Sequence, residues 1–173
     1  MKLNEMYSAE DIRRRVAQMG EEISNRFQGK ELEIVCVLKG GVFFAADLVR
    51  ALSVPCRMNF IKVKSYEGTC STGDVKISFG DELELAGRNV LIVEDILDTG
   101  RTLKKLTEKL WEMKPQSLVT AVFLDKKARR ETDFEADYAG FEIEDKFVVG
   151  YGMDCDEKYR ELPFVAELSD TEK

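Results

Sequence analysis

The segment Asn89–Leu103, "NVLIVEDILDTGRTL", decides how this chain is read. Its four apolar residues Val90–Val93 have the length and β-branched content of a buried strand. Two adjacent carboxylates follow, Glu94 and Asp95, then a third, Asp98, and then Thr99-Gly100-Arg101-Thr102. Beyond that turn Leu103, Leu106, Leu110 and Met113 mark one face of a helix that stops near Pro115. The segment reads as strand, acidic turn and helix.

The same grammar extends outward. "ELEIVCVL", Glu31–Leu38, is a buried strand broken by Lys39-Gly40-Gly41, after which "VFFAADLVRAL" resumes as a helix. "CRMNFIKVKSY", "VKISF" and "SLVTAVFL" supply further strands, and "EGTCSTGD" between the first two has the small, polar composition of a surface loop. Near the start, Ser8 and Asp11 form a capping box ahead of Ile12, Val16, Met19, Ile23 and Phe27 at helical spacing. Strands alternating with helices predict an α/β fold with a largely parallel central sheet flanked by helices. With no internal repeat, low-complexity tract or linker, residues 1–173 are expected to form one domain.

Composition narrows the function. A hydrophobic share of 44% and a charged share of 34% suit a soluble globular chain. No window reaches the length of a membrane span, and the opening residues lack the apolar core of a signal peptide, so a cytoplasmic protein is expected, with no membrane partner. Cys36, Cys56, Cys70 and Cys155 never form Cys-x-x-Cys, which argues against a zinc site or a disulfide framework. A net charge of -7 argues against nucleic acid as a partner. There is no histidine, so any acid-base chemistry falls to Asp, Glu, Lys, Tyr or Cys.

The acidic turn is then the feature to explain. In open α/β sheets ligands bind beyond the carboxyl ends of the strands, which is where Glu94, Asp95 and Asp98 fall. Backbone N–H groups and hydroxyls of Asp98-Thr99-Gly100-Arg101-Thr102, at a helix start, converge on an anion such as a phosphate, to which Arg101 adds charge. Glu94 and Asp95 would repel that phosphate but accept hydrogen bonds from sugar hydroxyls, or hold Mg2+ through water. A ribose 5-phosphate satisfies both halves. A capped helix start explains any one acid, but adjacent acids directly after an all-apolar strand are costly to desolvate without a partner.

"VLIVEDILDTGRTL" resembles the phosphoribosyl pyrophosphate (PRPP) signature of type I phosphoribosyltransferases, in particular the hypoxanthine-guanine branch. "VLKGG", Val37–Gly41, is similar to that family's pyrophosphate loop, in which the peptide before the lysine is typically cis. "VKSYEGTCSTGDVKI" resembles its flexible catalytic loop, about residues 65–75, with Ser65-Tyr66 as the matching pair. The C-terminal part looks like its purine-binding hood, about residues 140–173.

The resemblance implies the type I phosphoribosyltransferase fold with a small C-terminal hood, and purine salvage. The 5-phosphoribosyl group would pass from PRPP to N9 of a 6-oxopurine, hypoxanthine or guanine, with pyrophosphate leaving. Asp98 would be the acid-base residue at purine N7. Glu94, Asp95, Asp98, Thr99, Gly100, Arg101 and Thr102 would hold the ribose phosphate. Lys39, Gly40 and Arg160 would serve the pyrophosphate, and Lys126, Phe147 and Val148 the base. Mg2+ would be the cofactor, on Glu94, Asp95 and Asp154, and the chain would form a homodimer or homotetramer. By pattern alone, Phe147 reads as core and Lys126 beside Lys127 as a solvated pair. Cys155 stands where these enzymes often carry an aromatic. The alternatives are a PRPP-sensing regulator of the same fold, a transferase preferring xanthine, and a transferase for a different base.

Overall fold

The computed structural model describes residues 2–65, 75–78 and 83–169. In chain order the strands and helices are β1 (Lys2–Tyr7), α1 (Ala9–Arg26), β2 (Leu32–Leu38), α2 (Gly41–Ala51), β3 (Cys56–Ser65), β4 (Val75–Ser78), β5 (Asn89–Leu97), α3 (Arg101–Trp111), β6 (Ser117–Asp125), β7 (Tyr138–Glu142), β8 (Val148–Val149) and β9 (Val165–Ser169). The predicted apolar runs are these strands. Six of them form one sheet in the order β4-β3-β2-β5-β6-β7, five parallel and β4 antiparallel at the edge.

Both faces of that sheet are covered, which is why its central strands are apolar throughout rather than alternating. On one face Ile34, Cys36, Leu91 and Val93 pack beneath α1 and α2, with Met19, Ile23, Phe44 and Leu48 wholly buried. On the other, Val35, Val37, Val90 and Ile92 pack beneath Leu103, Leu106 and Leu110 of α3. Ser8 caps α1 as expected: its hydroxyl accepts from the Asp11 N–H at 3.1 Å, and its own N–H donates to Asp11.

The connection after β2 leads to α2 on one face and the connection after β5 leads to α3 on the other, although β2 and β5 are neighbours. Such a point of divergence opens a crevice at the carboxyl edge of the sheet.

Two features differ from the sequence reading. The strand read as Val90–Val93 runs on to Leu97, because its ladder with β6 continues through Glu94↔Val122 and Leu97↔Asp125. Glu94 and Asp95 are therefore strand residues. Second, residues 2–7, given no element by the pattern, form a strand that pairs antiparallel with β9 in a small sheet of order β1-β9-β8. "KLNEMY" is too polar and exposed for hydrophobic alternation to reveal it. Among the described residues no helix is long and apolar enough to cross a membrane.

Candidate active site

The crevice is built by the unequal ends of β2 and β5. Pairing between them stops at Cys36↔Val93, while β5 continues against β6 alone. Glu94, Asp95, Ile96, Leu97, Asp98, Thr99, Gly100, Thr102 and Leu103 then line a cavity of about 240 Å³. Gly100 enters α3 with φ 83, in the left-handed region, and a Cβ there would crowd Arg130 and Thr132. Having no side chain, it caps nothing. The amides at the start of α3 thus have little competition: among the described residues only the Arg101 N–H meets a side chain, Thr99 Oγ1 at 3.4 Å.

On the β2 side, Lys39-Gly40 closes the crevice, and the Leu38–Lys39 peptide is cis, as the family resemblance implied. Gly40 is pressed against the Asp95 carboxylate so closely that a Cβ would overlap it. Asp95 in turn accepts from Ile96 N–H at 2.8 Å, and Glu94 accepts from Asp95 N–H at 3.1 Å. Burial first, then the neighbouring Asp95 carboxylate, pushes Glu94 well above the usual carboxyl range.

The end of β6 holds the third acid. Asp125 and Arg130 form a buried ion pair, and Arg130 Nη1 donates to the carbonyls of Asp98 at 2.6 Å and Leu97 at 3.3 Å. Arg129 Nε stands 3.1 Å from Asp98 Oδ1. Lys126, read by pattern as solvated, is buried, and among the described residues its one ion-pair neighbour is Asp145 at 3.9 Å. Lys127 is the exposed member, 2.8 Å from Glu142.

The hood contributes the remaining residues. Phe147 is 55% exposed and not core, while Val148 beside it is buried in β8. Arg160 Nη2 lies 2.9 Å from Asp154 and 3.4 Å from Glu157, whose other carboxylate oxygen is 2.8 Å from Lys39 Nζ. Hydrogen bonding to Lys39 holds the Glu157 carboxyl below the usual range. Arg160 Nη1 donates to Gly152 O at 2.7 Å, and Gly152 itself rests on the carbonyl of Gly40.

Among the described residues two buried side-chain polar atoms lack a hydrogen bond, Asp98 Oδ1 and Arg160 Nε. Unsatisfied groups of this kind are rare and mark places arranged for something other than folding. Ser65 ends β3, whereas Tyr66 and most of the expected loop, Cys70 included, lie outside the described residues. Arg101 departs from expectation. Its exposed guanidinium pairs with Glu131 at 2.5 Å, an anion already at hand, so only its amide stays with the turn. Among the described residues no three carboxylates or thiols cluster tightly enough to hold a metal alone, and Asp154 forms a separate acidic point from Glu94 and Asp95. The sequence reading did not single out Arg129, Arg130, Asp145 or Glu157, because isolated charges carry no periodic signal. A larger cavity of about 640 Å³, between α1, α2 and the turn around Tyr151 and Leu162, contains none of the expected site residues.

A largely parallel sheet whose neighbouring strands diverge around an acid pair and a glycine turn at a helix start has the architecture of a nucleotide-handling α/β protein. The match is specific: the family described as "Phosphoribosyl transferase domain" covers residues 3–156, and the chain belongs to that family. It is 45% identical over 171 residues to the hypoxanthine-guanine phosphoribosyltransferase of Aquifex aeolicus, covering 98% of this chain and 96% of that one. Identity to the hypoxanthine phosphoribosyltransferase of Salmonella typhimurium is 42% over 161 residues, covering 91% and 90%. The crystal structure of a Bacillus anthracis hypoxanthine-guanine phosphoribosyltransferase superposes with TM-score 0.91 at 41% identity, covering 96% of this chain and 98% of that one.

Proposed function

We propose that this protein transfers the 5-phosphoribosyl group of PRPP to N9 of a 6-oxopurine, hypoxanthine or guanine, giving the nucleoside 5'-monophosphate and pyrophosphate. The observation that carries the reading is convergence. Glu94, Asp95, Asp98, Thr99, Gly100 and Thr102 line one cavity at the carboxyl edge of the sheet, in a chain 45% identical to such an enzyme.

The N9–C1 bond forms as the C1–oxygen bond to pyrophosphate breaks, through a state resembling an oxocarbenium ion. The amides and hydroxyls of Asp98 to Thr102 seat the 5'-phosphate. Glu94 and Asp95 accept from the ribose hydroxyls. Lys39, Gly40 and Arg160 hold the leaving pyrophosphate, and Ser65-Tyr66 would help to shield it from water. Lys126 donates to O6 of the base, Phe147 stacks on its ring, and the main chain at Val148 meets its edge. Asp98 exchanges the proton at N7. Two substrates held in line supply much of the acceleration.

The donor set suits magnesium: all-oxygen ligands, with Glu94 pushed toward protonation beside Asp95, are relieved by a cation. Glu94 and Asp95, and separately Asp154, would hold it. When bound it neutralises and orients the pyrophosphate.

The test is nucleotide formation from PRPP and Mg2+ with hypoxanthine, guanine, xanthine and adenine, with Asp98→Asn and Lys126→Ala alongside. Turnover of 6-oxopurines that falls in both variants is expected. PRPP binding without turnover of any base would favour a regulator of the same fold instead, and xanthine as best substrate would revise the specificity.

The same reading makes the protein a homo-oligomer, since Phe43 of α2 and Met58 and Phe60 of β3 are exposed on the α1–α2 side of the sheet. Sedimentation of Phe60→Lys tests this, a shift toward monomer being expected. The free thiols Cys36, Cys56 and Cys155 suit a reducing cytoplasm.

A further inference from the structure

We propose that Arg129 and Asp145 are positioning residues that fasten Asp98 to Lys126, so that the proton-exchanging group and the O6-reading group are set as one unit. The proposal rests on the function just given. It starts from local geometry. Lys126 ends at a single 3₁₀ turn, Lys127–Arg129, and Arg129 N–H donates to Lys126 O at 3.1 Å. That bond closes the turn and brings the backbones of residues 126 and 129 together.

The two edges of the Arg129 guanidinium meet two carboxylates: Nε is 3.1 Å from Asp98 Oδ1, and Nη1 is 3.6 Å from Asp145 Oδ1. Asp145 Oδ1 is also 3.9 Å from Lys126 Nζ. The result is an alternating row of charges, Asp98, Arg129, Asp145, Lys126. Its ends are the two residues that would touch the base.

Stability does not account for the row. Asp98, Arg129 and Asp145 have side chains 38%, 46% and 56% exposed, and pairs of that kind contribute roughly 0–1 kcal/mol. The fold-holding contact here is instead the buried Asp125–Arg130 pair, which pins the Asp98 main chain. Arg129 acts on the carboxylate alone. It stands against Oδ1, while Oδ2 has no hydrogen bond or ion pair among the described residues and remains open for the base. The Arg129 contact is also not an aligned hydrogen bond, since Oδ1 counts as unsatisfied. Arg129 therefore sets direction without consuming the acceptor. A planar fork is what two carboxylates on different edges require, and a lysine ammonium reaches them as a single point.

The experiment is steady-state kinetics with hypoxanthine and PRPP–Mg2+ for Arg129→Gln, Arg129→Lys, Asp145→Asn and, as control, Asp98→Asn. Arg129→Gln should lower kcat roughly 10- to 100-fold, a share of what general acid-base catalysis supplies, with KM for PRPP unchanged. Arg129→Lys should recover part of that loss. Asp145→Asn should raise KM for hypoxanthine about tenfold as Lys126 loses its partner. Wild-type kcat in Arg129→Gln overturns the proposal, as does a loss that Arg129→Lys does not reduce and that falls equally on PRPP. If Arg129→Gln does not fold, Arg129→Lys and Asp145→Asn decide: wild-type kinetics in both overturns it, and a defect confined to hypoxanthine upholds it. Full activity in Asp98→Asn would instead remove the underlying site reading, a separate result.

Discussion

Gly40 and Asp95 occupy one small volume: the backbone of the β2 turn lies where any side chain at position 40 would run into the Asp95 carboxylate. The turn that would hold the pyrophosphate is thus positioned by the acid that would hold the ribose. Gly40→Ala must move one of them. The expected outcome is a rise of at least about tenfold in KM for PRPP, since misplacing a binding group by an ångström is enough for such losses, with little change in thermal unfolding.

Phe147 separates two accounts of an apolar residue. A core phenylalanine truncated to alanine loses about 3–5 kcal/mol, whereas an exposed one away from special features changes stability by about 0.5 kcal/mol or less. At 55% exposure, Phe147→Ala should leave urea unfolding unchanged and raise KM for hypoxanthine. A large loss of stability would return the residue to the core.

Asp125 and Arg130 behave in the opposite way. Their side chains are 8% and 13% exposed, and removing one partner leaves a charge out of water, at about 3–5 kcal/mol. Asp125→Ala should therefore unfold several degrees lower and lose activity with it, because Arg130 also carries the carbonyls of Leu97 and Asp98.

Glu94 gives a pH signature. Burial and Asp95 raise its folded value well above the ordinary one, so below the ordinary carboxyl range both states hold the proton and nothing is lost. As pH climbs past that range the unfolded chain releases the proton and the folded chain keeps it, and stability falls until the folded value is passed. Glu94→Gln should accordingly stabilise the metal-free protein, with a gain small near pH 4 and larger near pH 8. Denaturant titrations in EDTA at the two pH values measure it, and equal gains would contradict the linkage.

The central strands and three helices were legible because each had a long apolar run or a 3.6-residue stripe, as Val90–Val93 and Ile12 to Phe27 illustrate. The acid run was legible because charges directly after such a strand are costly. What stayed hidden was tertiary. The extension of β5 past Val93 depends on β6 as a neighbour, and the strand at Lys2–Tyr7 exists only because β9 pairs with it. The burial of Lys126, the exposure of Phe147 and the diversion of Arg101 to Glu131 are likewise set by distant partners, which no local pattern encodes.

The pairing of β1 with β9 joins Lys2 to Ser169 and Glu5 to Ala166. A chain emerging from the ribosome can pair β2, β3, β5 and β6, and with them form the acid run and the turn into α3, long before Val165–Ser169 exists. The small sheet that contains Val148, which would meet the base, has to wait for β9. Order of synthesis thus separates the two sheets in time, and the side that would meet a purine is not finished until Val165–Ser169 has been made.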